Sequence, residues 1–402
     1  MKLISEEIAG YIEKSSWIRK MFEEGARLKK QFGAENIYDF SLGNPDLPPP
    51  PEVGEALKDL SSQMRSPFSV GYMPTAGYPE TRNRLAAYLS REQGCTISQE
   101  DLVLTCGAAG GLNVLFRSVL AKGDEIVCPA PFFVEYAFYA GNHGGRLVPV
   151  PALAPDFALD LNGMEKSITE KTRIVLINSP NNPTGKVYSR GELEQLSSLL
   201  ENKSREYGRP ILLVSDEPYR FLVYENTRVP PLLTLYPYSV IVSSFSKSLS
   251  LAGERIGYIV PNPEMEGKAD LLSGMILANR ILGFVNAPGI GQKILERCLD
   301  ARVDVSFYEK RRAAMGEVLS RAGYSYSMPF GGFYFFPEAP GGDDLRFVKL
   351  LQDEYILAVP GTGFGRSGYF RLAFCVDESC IRKSEEGFKR ALGKMQEENG
   401  GN

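Results

Sequence analysis

The sequence predicts an α/β fold built around a mostly parallel sheet, and three observations support this. Between residues 101 and 260, short β-rich runs alternate with segments of helical character, as in consecutive βαβ units. Most of the runs are apolar along their whole length, which is typical of strands buried on both faces of a sheet. The chain of 402 residues is also too long for one compact core, so we expect two or three domains.

Seven strands are predicted in this central part of the chain, and they form one sheet flanked by helices. The strands cover residues 101–105, 125–128, 146–150, 173–178, 211–214, 239–243 and 255–260. Between them we expect helices such as the one over residues 191–207. The large domain is predicted to extend over residues 51–288.

The N-terminal flank has a different pattern from the sheet region. An amphipathic helix is expected around residues 6–30, and a proline-rich run follows at residues 47–51. Residues 1–50 are therefore predicted to form an N-terminal arm and part of a smaller domain.

The C-terminal flank completes that smaller α+β domain in the prediction. After Pro288 the sequence favours one long charged helix over residues 289–322, then a region of short strands over 331–374 and a final helix. We expect residues 289–402 to form the C-terminal part of the small domain, so that both chain ends build it around one continuous central domain.

Composition argues against several classes of function. The chain has 45 Lys and Arg residues and 49 Asp and Glu residues. The resulting net charge of −4 argues against non-specific binding to nucleic acid. No apolar run approaches the length of a membrane span, and the first residues lack the apolar stretch of a secretory signal. Six scattered cysteines indicate reduced thiols, and the one histidine, His143, argues against a Cys/His zinc site. We therefore expect a cytoplasmic enzyme that acts on small molecules. It is expected to bind no metal, no membrane and no nucleic acid.

Small, polar and aromatic residues follow five of the predicted strands. In open α/β sheets, ligands bind beyond the carboxyl ends of the strands, so these segments are expected to meet at one rim. They cover residues 107–111, 129–133, 179–185, 215–220 and 244–248. The rim would bring together one lysine, one aspartate, one asparagine, a tyrosine and an aromatic ring.

Taken singly, each of these side chains has an ordinary structural explanation. A Gly/Ala turn lets a helix pack closely on a strand, and it matches neither a Walker loop nor a dinucleotide fingerprint. Lys247 could lie on the surface, Asp216 could cap a helix and Asn182 could be a turn residue before proline. Tyr219 could be part of the core.

Taken together, the same side chains match the requirements of pyridoxal phosphate. Backbone N–H groups at a helix start suit a phosphate, and Arg255, eight residues after Lys247, adds a planar bidentate partner. A partly desolvated lysine can form a Schiff base. A buried carboxylate such as Asp216 keeps the pyridine nitrogen protonated, so that the ring accepts electrons. Phenol and amide donors can hold the ring oxygen, and an aromatic face can cover the ring.

At this point the chain resembles the fold-type I pyridoxal-phosphate enzymes of aminotransferase class I/II, the aspartate aminotransferase group. The resemblance runs from about Ile37 to Arg390, and its motifs stand in the order typical of the family. The motifs cover residues 41–46, 71–80, 181–185, 216–219, 243–247, 251–257, 329–334, 360–365 and 369–374.

The resemblance implies a role for each matched residue around the cofactor, pyridoxal 5'-phosphate. Lys247 would form the Schiff base and move the α-proton, and Asp216 would pair with the pyridine nitrogen. Tyr219 and Asn182 would hold the ring oxygen, and Phe133 would stack on the ring. The residues implied to bind the phosphate are Gly107, Ala108, Ala109, Ser244, Ser246, Arg255 and Tyr72, the last from the second subunit of a homodimer.

The resemblance also implies how the substrate is bound. Arg371 would hold the α-carboxylate bidentately, with help from Asn182 and the backbone of Gly43. Two departures from the family pattern weaken the anchoring of the ring. Ala108 and Ala109 stand where many relatives have a hydroxyl or a lysine, and Phe133 stands where Trp or Tyr is common.

The function implied is transamination between an L-amino acid and a 2-oxo acid with ping-pong kinetics. Two alternatives remain open at this point: a lyase of the C–S type or a cyclopropane-forming synthase on the same scaffold, and a non-catalytic regulator that uses the fold to bind an effector. The preferred substrate also remains open. Arg280 or Arg65 could bind a distal carboxylate. The aromatic residues Tyr72, Phe132, Phe133 and Tyr136 would equally suit alanine, aromatic or other neutral amino acids.

Overall fold

The computed structural model describes residues 3–14 and 16–400. The strands are β1 Tyr38–Asp39, β2 Val103–Cys106, β3 Glu125–Ala130, β4 Arg146–Pro151, β5 Thr172–Asn178, β6 Leu212–Asp216, β7 Ser239–Ser244, β8 Ile256–Pro261, β9 Tyr334–Phe335, β10 Ile356–Leu357, β11 Val359–Pro360 and β12 Phe370–Ala373. The α-helices are α1 Glu6–Lys14, α2 Ser16–Phe32, α3 Pro51–Gln63, α4 Pro79–Gln93, α5 Gly107–Val119, α6 Glu135–Asn142, α7 Leu161–Ser167, α8 Arg190–Tyr207, α9 Lys268–Ile281, α10 Gly289–Cys298, α11 Val305–Ala322, α12 Asp344–Asp353, α13 Glu378–Lys383 and α14 Glu385–Gly400. Within these residues, no helix combines the length and the apolar character that crossing a membrane requires.

The large sheet has seven strands in the order β2-β8-β7-β6-β5-β3-β4. Strand β8 runs antiparallel to both of its neighbours, and the other neighbouring pairs are parallel. The predicted α/β class and all seven predicted strands are confirmed, with ends that differ by at most two residues. The largest shift at a strand start is in β2, because residues 99–101 form a 3₁₀ turn that the Asp101 side chain caps through Ser98.

Two apolar layers, one on each face of the large sheet, explain why polar and apolar residues do not alternate along the strands. Ile174 and Leu176 of β5 pack into a cluster with helices α5, α6 and α9, on one face of the sheet. Val175 and Ile177 of the same strand pack into a second cluster with helices α3, α4, α8 and α10, on the opposite face. Both faces therefore bury apolar side chains, as expected for a parallel sheet covered by helices on both sides.

A smaller α+β region is built from both flanks of the chain, as predicted. Strands β1 and β10 pair in parallel, with Tyr38 opposite Ile356. Strands β11, β12 and β9 form an antiparallel sheet, and Phe40 shares a buried cluster with side chains of helices α11, α12 and α14. The exact boundaries at residues 50 and 288 stay a prediction.

The prediction of one long helix over residues 289–322 is wrong, because two separate helices occupy this segment. Helix α10 ends at Cys298, and helix α11 starts only at Val305. The side chain of Asp304 accepts a hydrogen bond from the Ser306 N–H at 2.9 Å, which caps a new helix start. The N–H of Val303 donates to the Ser248 carbonyl at 2.9 Å, and this contact holds the linker in a non-helical path.

The other predicted helices lie at the expected places, and the final one is seen as α13 and α14. Helix α8 begins at Arg190, after a capping box between Ser189 and Glu192. The helix expected around residues 6–30 is seen as α1 and α2, and residue 15 between them lies outside the described residues.

Candidate active site

A cavity of about 350 Å³ lies where β5, β6 and β7 end. Asn178, Asp216 and Ser244 are the last residues of these three strands, and all of them line the cavity. The strands are parallel neighbours, with Asn178 opposite Asp216, so their carboxyl ends meet at one edge. This is the position in which open α/β sheets bind ligands.

The structure brings most of the predicted site residues together around this cavity. Gly107 lies beside it, next to the guanidinium of Arg255. Tyr72 does not line the cavity of its own chain, and it is 93% exposed. The predicted residues that line the cavity are Gly43, Ala108, Ala109, Phe133, Asn182, Asp216, Tyr219, Ser244, Ser246, Lys247, Arg255 and Arg371.

Lys247 presents a buried amine to the cavity. It follows β7 by three residues, and its Nζ donates a hydrogen bond to the backbone oxygen of Gly43 at 2.8 Å. Burial lowers the pKa of Lys247 to about 8, and the nearby positive charges of Arg371 and Arg255 act in the same direction. A substantial fraction of this amine is therefore neutral near physiological pH, as a nucleophile or a proton acceptor requires.

Asp216 contributes a buried carboxyl group with one unused oxygen. Its Oδ2 accepts a hydrogen bond from the Tyr136 hydroxyl at 2.5 Å. Its Oδ1 is buried and has no hydrogen-bond partner within the described part of the chain. Burial raises the pKa of Asp216 to about 7, the hydrogen bond from Tyr136 opposes this rise, and the charge of Glu217 adds to it. A cationic N–H donor in the cavity would satisfy the unused oxygen and favour the ionised form.

Tyr219 and Tyr334 form a buried pair of phenols beside the amine. Their hydroxyl oxygens lie 2.9 Å apart, and burial raises the pKa of both groups. A Cβ atom at Gly43 would lie 1.9 Å from the Tyr334 hydroxyl oxygen. Position 43 therefore accepts only glycine if Tyr334 is to stay in place while the Gly43 carbonyl reaches Lys247.

Arg371 is a buried cation that forms no salt bridge with any described acidic residue. It lies on β12, and its guanidinium donates to Asn182 Oδ1 at 3.1 Å and to the Ser41 carbonyl at 2.5 Å. The rings of Tyr334 and Phe364 lie 4.6 Å and 4.8 Å from the guanidinium carbon. The Nε atom of Arg371 is buried without a partner in the same described residues. This arrangement suits a ligand carboxylate, which would neutralise the charge and accept bidentate hydrogen bonds.

The start of helix α5 also lines the cavity, through Ala108 and Ala109. Strand β2 ends at Cys106, and Gly107 opens the helix with a φ of +70°. A Cβ atom there would lie 2.9 Å from Arg255 Nη2, so both the backbone angle and the close guanidinium favour glycine. The first N–H groups of a helix have no partner within the helix, and with Arg255 beside them they suit a phosphate.

Three further cavity residues had no assigned bonding role in the sequence analysis. The Tyr136 hydroxyl hydrogen-bonds to Asp216, the Tyr334 hydroxyl lies within hydrogen-bond distance of the Tyr219 hydroxyl, and Glu135 lines the cavity. Helical spacing gave no signal for the role of Tyr136, because Phe133 precedes helix α6, which starts at Glu135. By contrast, Arg65 and Arg280, the two proposed partners for a distal carboxylate, are exposed and do not line the cavity.

The chain is similar to known proteins over nearly its whole length. The family model for aminotransferase class I and II matches residues 35–384. An aspartate aminotransferase from Pyrococcus horikoshii is 29% identical over 388 residues, which cover 94% of this chain and 95% of the relative. An aspartate/prephenate aminotransferase from Thermus thermophilus is 31% identical over 366 residues, which cover 89% and 92% of the two chains.

Solved structures give the same result. An aminotransferase from Eubacterium rectale superposes with a TM-score of 0.94 at 39% identity, over 98% of this chain and 100% of the other. The aspartate aminotransferase from Thermus thermophilus, solved with maleate, superposes with a TM-score of 0.86 at 29% identity, again over 98% and 100%. These matches support an aminotransferase and not the lyase alternative. The chain belongs to the class I and II aminotransferase family, and it is a transaminase.

Proposed function

We propose that this transaminase uses pyridoxal 5'-phosphate, held in the cavity by a covalent bond between its aldehyde and Lys247. The observation that carries the proposal is the unused oxygen of Asp216, buried in the same cavity as a lysine whose pKa is lowered. The protonated ring nitrogen of the cofactor is the cationic donor that this oxygen lacks.

The remaining cavity residues fit the other parts of the cofactor. Tyr219 and Asn182 would donate to the ring oxygen, and Phe133 would cover one face of the ring. The phosphate would be bound at the start of α5 and by side chains nearby. The residues proposed for the phosphate are Gly107, Ala108, Ala109, Ser244, Ser246 and Arg255.

The chain's own groups would then perform the proton transfer. When bound, the cofactor supplies a ring that accepts the electron pair left at the substrate Cα. Arg371 would hold the α-carboxylate, with Asn182 keeping the guanidinium oriented and the backbone of Gly43 nearby. Lys247 would take the proton from Cα, since a pKa of about 8 leaves a substantial fraction of its amine neutral near physiological pH.

The kinetic order tests this proposal. With the holoenzyme we expect single L-amino acids to release a 2-oxo acid without a second substrate, and 2-oxoglutarate then to be converted to glutamate. Initial rates at several fixed concentrations of the second substrate should give parallel double-reciprocal lines. Release of ammonia from the amino acid, with no glutamate formed from 2-oxoglutarate, would indicate a lyase instead.

We also propose a homodimer in which Tyr72 of one subunit binds the phosphate held by the other. Tyr72 is exposed and lies in a segment that also exposes Phe68 and Val70. Exposed apolar side chains grouped in this way are typical of a subunit interface. A cytoplasmic location is supported by the cysteines, all six of which are free.

Mixed dimers test the donation of Tyr72. Lys247→Ala and Tyr72→Ala chains with different affinity tags would be produced together, and the mixed dimer isolated. One of its two sites then contains both native residues, so we expect about half of the wild-type activity per dimer at limiting cofactor. The homodimer of each variant serves as a control, and its activity per dimer should be well below that of the mixed dimer. If Tyr72 acts within its own chain, the mixed dimer would have no native site and would show no recovery.

A further inference from the structure

We propose that Glu135 selects amino donors whose side chain ends in a cationic N–H group, an ammonium or a guanidinium. This inference rests on the proposed function, because it assigns the substrate class of the same cavity. It concerns the distal end of the substrate, which none of the residues assigned above contacts.

Glu135 lines the cavity and has an unused hydrogen-bond acceptor. It is the first residue of helix α6 and lines the cavity together with Phe133, Tyr136 and Tyr139. Its Oε2 is fully shielded from solvent and has no partner among residues 3–14 and 16–400. Buried polar atoms are nearly always paired, so an unpaired carboxylate oxygen on a residue that lines a ligand cavity points to a donor on the ligand.

Among the described residues that line the cavity, Glu135 is the one acidic group without an assigned task. Lys247, Arg255 and Arg371 are the cations that line it, and they are assigned to the aldehyde, the phosphate and the α-carboxylate. Asp216 is assigned to the ring nitrogen. Within the described part of one chain, a cationic group at the distal end of a substrate would therefore find an acceptor in Glu135. A carboxylate at the same place would find no cation that is not already assigned.

Electrostatics favours the same class of substrate. Burial raises the pKa of Glu135, while a hydrogen bond to its own backbone N–H and the charge of Arg371 oppose the rise. A bound ammonium would relieve the cost of this desolvated carboxylate, whereas a distal carboxylate would be repelled by it. An acidic residue in the first turn of a helix is common for structural reasons, but solvent usually reaches such a group. The shielded position of Oε2 is what distinguishes Glu135.

Single-turnover kinetics of the holoenzyme test this assignment. L-Ornithine and L-lysine are the cationic probes, L-alanine is the neutral probe and L-aspartate is the acidic probe. For the wild type we expect kcat/KM for a cationic probe to exceed that for L-alanine by about tenfold or more, and L-aspartate to react slowest. Glu135→Gln, which keeps the shape and removes the charge, should reduce the ratio of cationic to neutral kcat/KM by about tenfold. The matched control Glu165→Gln changes an exposed glutamate of helix α7, and the ratio should not move.

Failure of this inference can be told apart from failure of the proposed function. A wild-type preference for L-aspartate or L-alanine over both cationic probes would overturn the role of Glu135, whether or not the variant folds. An unchanged ratio in a folded, cofactor-loaded Glu135→Gln enzyme would overturn it as well. Both outcomes leave transamination in place. If no amino acid reacts and borohydride yields no adduct at Lys247, the proposed function itself fails.

Discussion

Lys247→Ala lowers the rate of transamination by about 10⁴-fold or more, the largest loss that we expect from any single substitution. The variant removes the one amine that lines the cavity in the described part of the chain, and with it both the covalent link to the cofactor and the base for the α-proton. Asp216, Arg255 and the start of α5 remain in place, so we expect the variant still to bind pyridoxal 5'-phosphate without a covalent bond. Turnover at saturating cofactor, combined with borohydride reduction and peptide mass spectrometry, measures both effects.

The control for this experiment is Lys349→Ala. Lys349 is exposed on helix α12 and does not line the cavity. Its replacement should therefore leave turnover unchanged. In the wild type the reduced adduct should be found on the peptide that contains Lys247. Undiminished turnover in Lys247→Ala, or an adduct on another lysine, would contradict the assignment.

Asp216→Asn is expected to reduce turnover by about 10³-fold while it stabilises the cofactor-free protein. An asparagine can still accept the hydrogen bond from Tyr136, so the packing is kept. It carries no negative charge, and the ring nitrogen therefore loses the partner that keeps it protonated.

The stability effect depends on pH in a defined direction. The pKa of Asp216 is about 7 in the folded chain against 3.8 for an unperturbed group. Between these values the folded state keeps a proton that the unfolded state has lost, so the contribution of this group to stability is full below 3.8 and is lost as the pH rises to about 7. Above pH 7 the wild type therefore has a buried charge that Asp216→Asn lacks, a difference of about 1–3 kcal/mol in the free energy of unfolding.

Urea unfolding of the cofactor-free proteins at pH 5 and pH 8 measures this difference. We expect Asp216→Asn to be more stable than the wild type at pH 8, with the gap narrowing at pH 5. Asp353→Asn, a change of an exposed residue at the end of helix α12, should show no such gap. An Asp216→Asn protein that is less stable at pH 8, or a gap independent of pH, would show that the carboxylate is not a buried charge.

Much of this architecture could be predicted because the pattern of apolar residues along a segment indicates which of its faces are buried. The seven strands of the sheet were visible as apolar runs, since each strand buries both faces between helices. Lys247, Asp216 and Asn182 could be placed at one rim because they lie at or within four residues of the carboxyl ends of parallel strands. The linker between α10 and α11 was missed, because the capping by Asp304 and the contact of Val303 with Ser248 outweigh the helical pattern of the segment.

The sequence by itself determined the order of the strands along the chain, the residues that follow them and the chemistry that those residue types can perform. The tertiary structure alone decided how these groups act on one another. Tyr136 meets Asp216 across 80 residues of chain, and the state of Glu135 and Lys247 depends on burial by segments distant in sequence. The physical reason is that periodicity encodes which face of an element is buried, whereas a hydrogen bond or a shifted pKa depends on distances of a few ångströms that only the packing of the elements sets.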